Sequence, residues 1–370
     1  MNLFRNFLFV FAFTIQIAFV YGQEKFAVKG FCVAAPQPES LDSFIDFTKT
    51  QLAPNGINTL VLRVDYQYAY ESRPELRGEN PLSKEQVKKL VNACKNLGIE
   101  IIPQVNLLGH QSWHSKATKL IEVYPEFDET PNIQLPEKYE WPNEDGLYCK
   151  SYCPLHPDVH EVVFDLVDEI TEVFEAKAFH AGMDEVFYLA HDDCPRCNGQ
   201  DPAKLFANEV RKISDHLQEQ DKRLWIWGDR LIDGVETGIG MWEASMNNTA
   251  RAIDMIPKSV VICDWHYEKA YPTPAIFAMK GFDVIACPWR KPEVAEDQVK
   301  MISDFKANST KKMTSHFLGT MHTYWSSAER FMEELENPPN NEGEGHISAV
   351  DTFKAMCESI AEMEGSTNEN

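Results

Sequence analysis

Two adjacent carboxylates, Asp184 and Glu185, close the segment Phe179-His180-Ala181-Gly182-Met183-Asp184-Glu185. A largely apolar run from Val173 to Phe179 precedes them, and a loop containing Cys194, Cys197 and Gly199 follows. The pattern reads as a buried strand ending at an open face, with both acids placed where a ligand can reach them. Paired acids at such a position suit cleavage of a glycosidic bond. One gives a proton to the leaving oxygen, and the other manages the positive charge that develops on the sugar. In a chain with 57 acidic residues an Asp-Glu pair is more often a solvated helix start, so the dipeptide carries weight only through its setting.

That setting is an alternation of β and α units. Expected strands are Phe26–Val33, Thr59–Val64, Ile99–Val105, Ala178–Gly182, Leu224–Trp227, Val260–Cys263, Val284–Ala286 and Phe317–Met321. Several are short apolar runs without polar alternation, as parallel strands covered on both faces must be. Helical patterns fall between them, at Ser40–Gln51, Ser83–Leu97, His156–Glu175 and Pro202–Gln220. Ser83 with Gln86 three residues later has the form of a capping box. Eight strands alternating with helices predict an α/β fold, a single-domain (β/α)₈ TIM barrel. The stretch from His110 to Cys153, rich in Pro, Trp and Tyr, reads as an elaborated loop over the barrel mouth.

In such a barrel chemistry belongs to the residues after each strand. The second strand leads to Arg63, Asp65 and Tyr66, the third to Asn106 and His110, and the fourth to Asp184 and Glu185. The fifth gives Trp227, Asp229 and Arg230, the sixth Trp265, His266 and Tyr267, the seventh Trp289 and Arg290, and the eighth Tyr324 and Trp325. Aromatic rings interleaved with acids and imidazoles can hold a pyranose: rings stack on its C–H face while polar groups bond its hydroxyls. A Trp taken singly is more often core; the recurrence after successive strands favours a ligand wall. From the residues alone, His110 is either a partner of the acids or a structural residue capping its loop.

The order and spacing resemble the catalytic barrel of glycoside hydrolase family 20, the β-N-acetylhexosaminidases. The segment Gly56 to Gln67, with the later Pro74-Glu75-Leu76, is similar to the family's second-strand region. Ile99 to His110 is similar to its third-strand region, and His180-Ala181-Gly182-Met183-Asp184-Glu185 to its H-x-G-G-D-E signature. The similarity covers about Gly56 to Arg230. It implies a retaining exo-hydrolase acting on glycans with terminal GlcNAc or GalNAc, in which the substrate's own 2-acetamido oxygen forms an oxazolinium intermediate. Glu185 would be general acid and then base, and Asp184 would orient the acetamido N–H and stabilise its developing charge. Asp65 and His110 would form a relay supporting Glu185, and Tyr267 would bond the acetamido oxygen. Trp265, Trp289 and Trp325 would wall the pocket, with Trp227, Asp229 and His180 also at substrate-binding positions, His180 as a supporting residue. No cofactor and no catalytic metal are implied.

Three departures stand out. Met183 replaces the second Gly of the signature and is expected to reshape the pocket floor. The first strand, Lys29 to Pro36, lacks the Arg that grips sugar hydroxyls in the family, and Trp325-Ser326-Ser327 stands where many members have Trp-x-Glu. These leave two further readings open: a barrel glycosidase with two separated carboxylates, and a carbohydrate-binding barrel that has lost activity.

Residues 1–22 carry one charge, Arg5, ahead of a long apolar stretch, and read as a signal peptide of an exported protein. The barrel is expected over 23–335, followed by a helix at Ser348–Glu362 and a disordered end within 336–370. A net charge of −22 argues against nucleic acid or anionic membrane surfaces, and no stable membrane partner is expected. Nine Cys leave at least one unpaired. For Cys149, Cys153, Cys194 and Cys197 the sequence admits disulfides, free thiols or a zinc site completed by His156 or His191, with export favouring oxidation.

Overall fold

The computed structural model describes residues 26–142, 148–337 and 347–365. The expected signal segment 1–22 and the end of the chain beyond 365 lie outside the described residues. Eight parallel strands close into a barrel: β1 (Val28–Ala34), β2 (Thr59–Arg63), β3 (Glu100–Leu107), β4 (Ala178–Gly182), β5 (Arg223–Trp227), β6 (Val261–Trp265), β7 (Asp283–Cys287) and β8 (Phe317–Thr323). Each pairs with its neighbours in chain order, and β1 pairs with both β2 and β8. Every expected strand is present, displaced by a few residues at its ends.

These strands are apolar throughout because they are buried twice. Val61, Ile102, Trp225, Val261, Cys263 and Ile285 fill the barrel interior, while their neighbours Leu60, Leu62, Ile101, Ile226, Ile262 and Val284 face the helical layer. Both faces need hydrophobes, so no polar alternation marks the strands. At Gly30 the reason for glycine is space: a Cβ there would stand 2.7 Å from the Cβ and Cγ of Met321 on the paired strand.

The outer layer comprises α1 (Leu41–Phe47), α2 (Lys84–Asn96), α3 (Val159–Val173), α4 (Pro202–Gln218), α5 (Thr273–Met279), α6 (Pro292–Asn308), α7 (Ala328–Glu336) and α8 (Ala349–Gly365). The capping box of α2 forms as the sequence predicts: the Gln86 N–H donates to Ser83 Oγ and the Ser83 N–H to Gln86 Oε1. Between β5 and β6 the connection has only short turns, at Asp229–Leu231, Gly234–Thr237 and Ala250–Asp254. Helix α8 packs on α6, and its Val350, Phe353 and Met356 are buried in the same core as Phe31 and Phe331. The described part of the loop 110–153 carries a small hairpin (Ser112–Trp113 with Lys116–Ala117), a helix at Lys119–Val123 and a turn at Pro125–Phe127.

The end of β4 is strained. Gly182 has φ +67°, and a Cβ on it would reach within 2.4 Å of Asn106 Oδ1. Met183, which follows, also has φ +67°. Contrary to the expectation that it shapes the pocket floor, its side chain is buried in the core shared with the helical layer and does not line the cavity. The left-handed turn that aims Asp184 at the mouth turns the neighbouring side chain away from it. Removing the Met183 side chain forfeits about 2–5 kcal/mol of core packing, against roughly 1–2 kcal/mol regained from a left-handed non-Gly residue. Met183→Gly should therefore lower unfolding stability by about 2 kcal/mol, and by no more than about 4, in a denaturant titration. Unchanged or higher stability would mean that strain, not packing, dominates at this position.

Candidate active site

A cavity of about 530 Å³ opens at the carboxyl ends of the strands, a size suited to a small ligand. Its centre is a three-residue cluster. His110 Nδ1 lies 3.5 Å from Asp184 Oδ1, and His110 Nε2 lies 3.3 Å from Glu185 Oε2. The imidazole thus bridges the two adjacent acids, and it stacks on Trp113 with ring centroids 6.0 Å apart. Asp65, His110 and Glu185 all adopt positive φ (46°, 54° and 49°), as does Met183 between the acids and β4. Backbone strain collected at one site is held there by the surrounding packing.

The relay expected from Asp65 through His110 to Glu185 is not the arrangement observed. Asp65 lines the cavity, but its carboxylate accepts from the Asn106 backbone N–H (2.8 Å) and the Asn106 side-chain amide (3.3 Å). The Nδ1 side of His110 is turned to Asp184 instead. The physical reason is charge: a buried Asp184 beside a partly buried Glu185 needs a cation more than the hydrogen-bonded Asp65 does.

Asp229 is not in the cavity wall. It is buried behind Glu185, where Oδ2 accepts from the Glu185 backbone N–H (2.9 Å) and Arg230 Nε (2.7 Å). Its Oδ1 accepts from Trp265 Nε1 at 3.3 Å. It therefore fixes a cavity acid and a cavity ring without touching a ligand. Trp227 and His180, also expected at the substrate, are both fully buried and pack against each other with centroids 4.5 Å apart. They point inward as barrel filling, because residues of β4 and β5 alternate between interior and helical layer. His180 Nδ1 accepts from the Gly182 N–H, and burial pushes its imidazole down to about 3, so it is neutral.

The remaining expected residues converge on the cavity. Trp265, Tyr267, Trp289 and Trp325 form one wall. Trp325 Nε1 donates to the Tyr267 hydroxyl at 2.8 Å, and the Tyr267 ring lies 5.0 Å from Trp265 and 5.2 Å from Trp289. Burial holds the Tyr267 phenol far above its ordinary value, so it keeps its proton. Glu243 secures this loop by accepting the Tyr267 backbone N–H and facing His266 Nδ1, each at 3.0 Å.

The wall also contains Trp113 and Tyr148, which the sequence does not single out, and Arg63, named above only at the end of the second strand and with no role. Arg63 ends β2, level with Ala34 of β1. Its Nη2 donates to the carbonyls of Tyr324 (3.1 Å) and Ser326 (3.2 Å), and its guanidinium lies 4.9 Å from the Trp325 ring. The inward phase it shares with Val61 was the signal available. Trp113 and Tyr148 come from the irregular loop 110–153, where no periodicity marks them. Ser327, standing near the position of the absent eighth-strand acid, instead caps α7, accepting from the Arg330 N–H. Cys149 lies beneath the site with Sγ 3.7 Å from the Glu185 carbonyl and does not pair with Cys153; none of the nine cysteines forms a disulfide.

Charge explains how the cluster holds protons. Burial pushes the Asp184 carboxyl up to about 7; the Asp229 and Glu185 charges add to this and His110 opposes it. For His110, burial disfavours the imidazolium, but Asp184, Glu185 and Asp229 together outweigh it and push the group up to about 9.

Residues 64–337 match the catalytic domain of glycosyl hydrolase family 20. The chain belongs to that family. It is similar to a lacto-N-biosidase of Bifidobacterium bifidum (23% identical over 233 residues, 60% of this chain and 19% of that protein). It is also similar to a β-hexosaminidase of Vibrio furnissii (25% over 209 residues, 56% and 30%) and to hexosaminidase D of Bos taurus (25% over 186 residues, 48% and 48%). The chain thus spans between about a fifth and a half of the length of these relatives. Among solved structures, the fold is shared with a chitobiase of Flavobacterium johnsoniae (TM-score 0.59, 15% identity, 93% of this chain and 52% of that one). An exo-β-N-acetylglucosaminidase of Vibrio harveyi in complex with N-acetylglucosamine superposes equally well (TM-score 0.59, 16% identity, 92% and 58%). The two acids and His180 match the signature noted above, and Met183 departs from it while adopting a left-handed φ of +67°.

The cluster makes a titration testable in the ligand-free protein. Carboxyl and imidazole NMR titrations should place Asp184 near 7 and His110 near 9. Because folded His110 binds its proton more tightly than the unfolded chain does, its contribution to stability is complete below about 6.5 and lost as pH rises through about 9. His110→Gln should abolish that part of the alkaline loss of thermal stability and move Asp184 further upward. Midpoints near 4 for Asp184 and 6.5 for His110 would contradict the bridged geometry.

Proposed function

We propose that this chain is a retaining exo-β-N-acetylhexosaminidase that removes terminal GlcNAc or GalNAc from glycans by substrate-assisted catalysis. The observation that carries the reading is the bridging of two sequence-adjacent acids by one imidazole inside an aromatic-walled cavity. The Asp184, Glu185 and His110 ligand atoms all lie within 4.8 Å of one another. Two acids held so closely cannot stand on opposite faces of a sugar with a water between, as an inverting pair must, about 6.5–9.5 Å apart. That spacing excludes an inverting pair but not a carboxylate nucleophile, which needs about 5–5.5 Å. The placement of both acids at one strand end, within a family 20 domain, favours the substrate's acetamide as nucleophile.

Glu185 protonates the leaving oxygen and then takes the proton of the attacking water. His110 faces the Glu185 oxygen and tunes that proton. Asp184 accepts the acetamido N–H, aims the acetamide oxygen at the anomeric carbon and offsets the charge that grows on the oxazolinium ring. Its raised affinity for a proton is consistent with a buried site completed by the substrate. Tyr267, protonated and facing the cavity, donates to the acetamide oxygen. The rings of Trp265, Trp289 and Trp325 enclose the apolar face of the acetamido sugar.

Aryl 2-acetamido-2-deoxy-β-glucosides and β-galactosides should be hydrolysed by the wild type. Glu185→Gln should lower kcat by about 10²–10⁴ with the fold intact. A folded wild type that binds these sugars but turns over neither would favour a carbohydrate-binding barrel. Asp184→Asn should lower kcat more than it raises KM; a large loss of affinity with normal turnover would remove its assigned role.

A further inference from the structure

A second cluster of reactive side chains lies outside the cavity wall. Glu129 and Cys153 belong to the loop after β3, and Cys194 and Cys197 to the loop after β4. All four are buried, and their ligand atoms lie within 4.8 Å of one another. Cys153 Sγ is 3.4 Å from Cys194 Sγ, and Cys197 Sγ is 2.6 Å from Glu129 Oε1. A disulfide would require about 2.05 Å. Sulfurs about 2.3 Å from a shared tetrahedral zinc stand roughly 3.8 Å apart, close to what is seen.

The local backbone is shaped for two sulfurs to face one point. In the turn Cys194-Pro195-Arg196-Cys197 the Cys197 backbone N–H donates to Cys194 Sγ at 3.4 Å, and Gly199 follows with φ +74°. Such a bond favours a thiolate over a thiol. The Glu129 carboxylate supplies the second, independent observation. It is fully buried; among the described residues Oε1 receives the His191 backbone N–H and the Cys197 thiol, and Oε2 has no hydrogen-bond partner. A buried carboxylate needs a cation or a complete set of donors. The nearby Lys150 ammonium is committed to Asp128 and Thr130. His156 and His191, which the sequence offered as ligands, do not join the group: each Nδ1 accepts a backbone N–H of its own loop.

We propose that Cys153, Cys194, Cys197 and Glu129 bind one zinc ion as a closed structural clamp between the β3 and β4 loops. On binding, each of the three thiols gives its proton to solvent and the thiolates and carboxylate occupy four positions, leaving none for a substrate. Three sulfur ligands select zinc over magnesium or calcium. The clamp has a functional reach. Cys153 is close in the chain to Tyr148 of the cavity wall and to Cys149 beneath Glu185, and the β4 loop carries Glu185 itself. A metal joining these loops would hold one wall of the cavity against the acids.

The full chain, purified without chelators and under reducing conditions, should contain about one zinc per molecule by elemental mass spectrometry. Cys197→Ser and Glu129→Gln should each weaken zinc binding by at least about 10-fold, measured by competition with a chromophoric chelator, while Cys357→Ser should not. Stripping zinc should lower the thermal midpoint and expose the 110–153 loop to protease, and added Zn²⁺ should reverse both. Less than a tenth of an equivalent of zinc after incubation with excess Zn²⁺ would overturn the proposal. So would a mapped Cys153–Cys194 disulfide in the folded protein. Undiminished affinity in Glu129→Gln would overturn the assignment of the fourth ligand.

Discussion

Two carboxylates on consecutive residues, one buried and one partly so, cannot both stay charged unless something positive lies between them. In this barrel that group is His110, facing Asp184 on one nitrogen and Glu185 on the other. Much of the local architecture follows from holding this trio in place. The chain enters the left-handed region at Asp65, His110, Met183 and Glu185, conformations that cost on the order of 1 kcal/mol or more each and persist only where packing enforces them. Behind the trio, Asp229 grips the Glu185 backbone and is itself held by Arg230, whose Nη2 donates to the carbonyls of Met241 and Ala244. The fixed points of the site are thus one strand removed from its chemistry.

The other side of the cavity is built by a different force. Trp265, Tyr267, Trp289 and Trp325 are fastened to one another by ring contacts and the Trp325–Tyr267 hydrogen bond, and to the barrel by Asp229 and Glu243. Tyr267 is the one polar group in this aromatic wall that both faces the acids and keeps its proton. A rigid, mostly apolar wall opposite a charged cluster suits a ligand with one apolar face and one amide. That asymmetry, more than any single residue, supports an acetamido sugar over a simple hexose.

Much of this was legible in the sequence, and the rest was hidden for definable reasons. The eight strands could be placed because each is a short apolar run between helical periods, and the acids could be placed because they follow β4. The inward or outward phase of each residue could not, since both faces of a barrel strand are apolar. Depth along the barrel is equally hidden: Trp227 and His180 point inward as Arg63 does, yet they are buried below the cavity while Arg63 lines it. Met183 is hidden from a sequence reading for a related reason: its left-handed turn changes the side of the chain on which the residue emerges, so it enters the core. The partner of His110 depends on which carboxylates are nearest in space, whereas the expectation of Asp65 came from the family resemblance alone. Glu129 was invisible beside Cys153, Cys194 and Cys197 because a remote acid completes no motif.

The central claim is that the substrate's acetamide is the nucleophile, with Asp184 steering it and Glu185 moving the proton. Its most direct test is inhibition by a thiazoline analogue of the bicyclic oxazolinium intermediate. The account predicts competitive inhibition of the wild type, tighter than binding of the product sugar by about 10²-fold or more, and a marked weakening in Asp184→Asn. Hydrolysis of an aryl acetamido sugar that proceeds undisturbed by saturating thiazoline would contradict it.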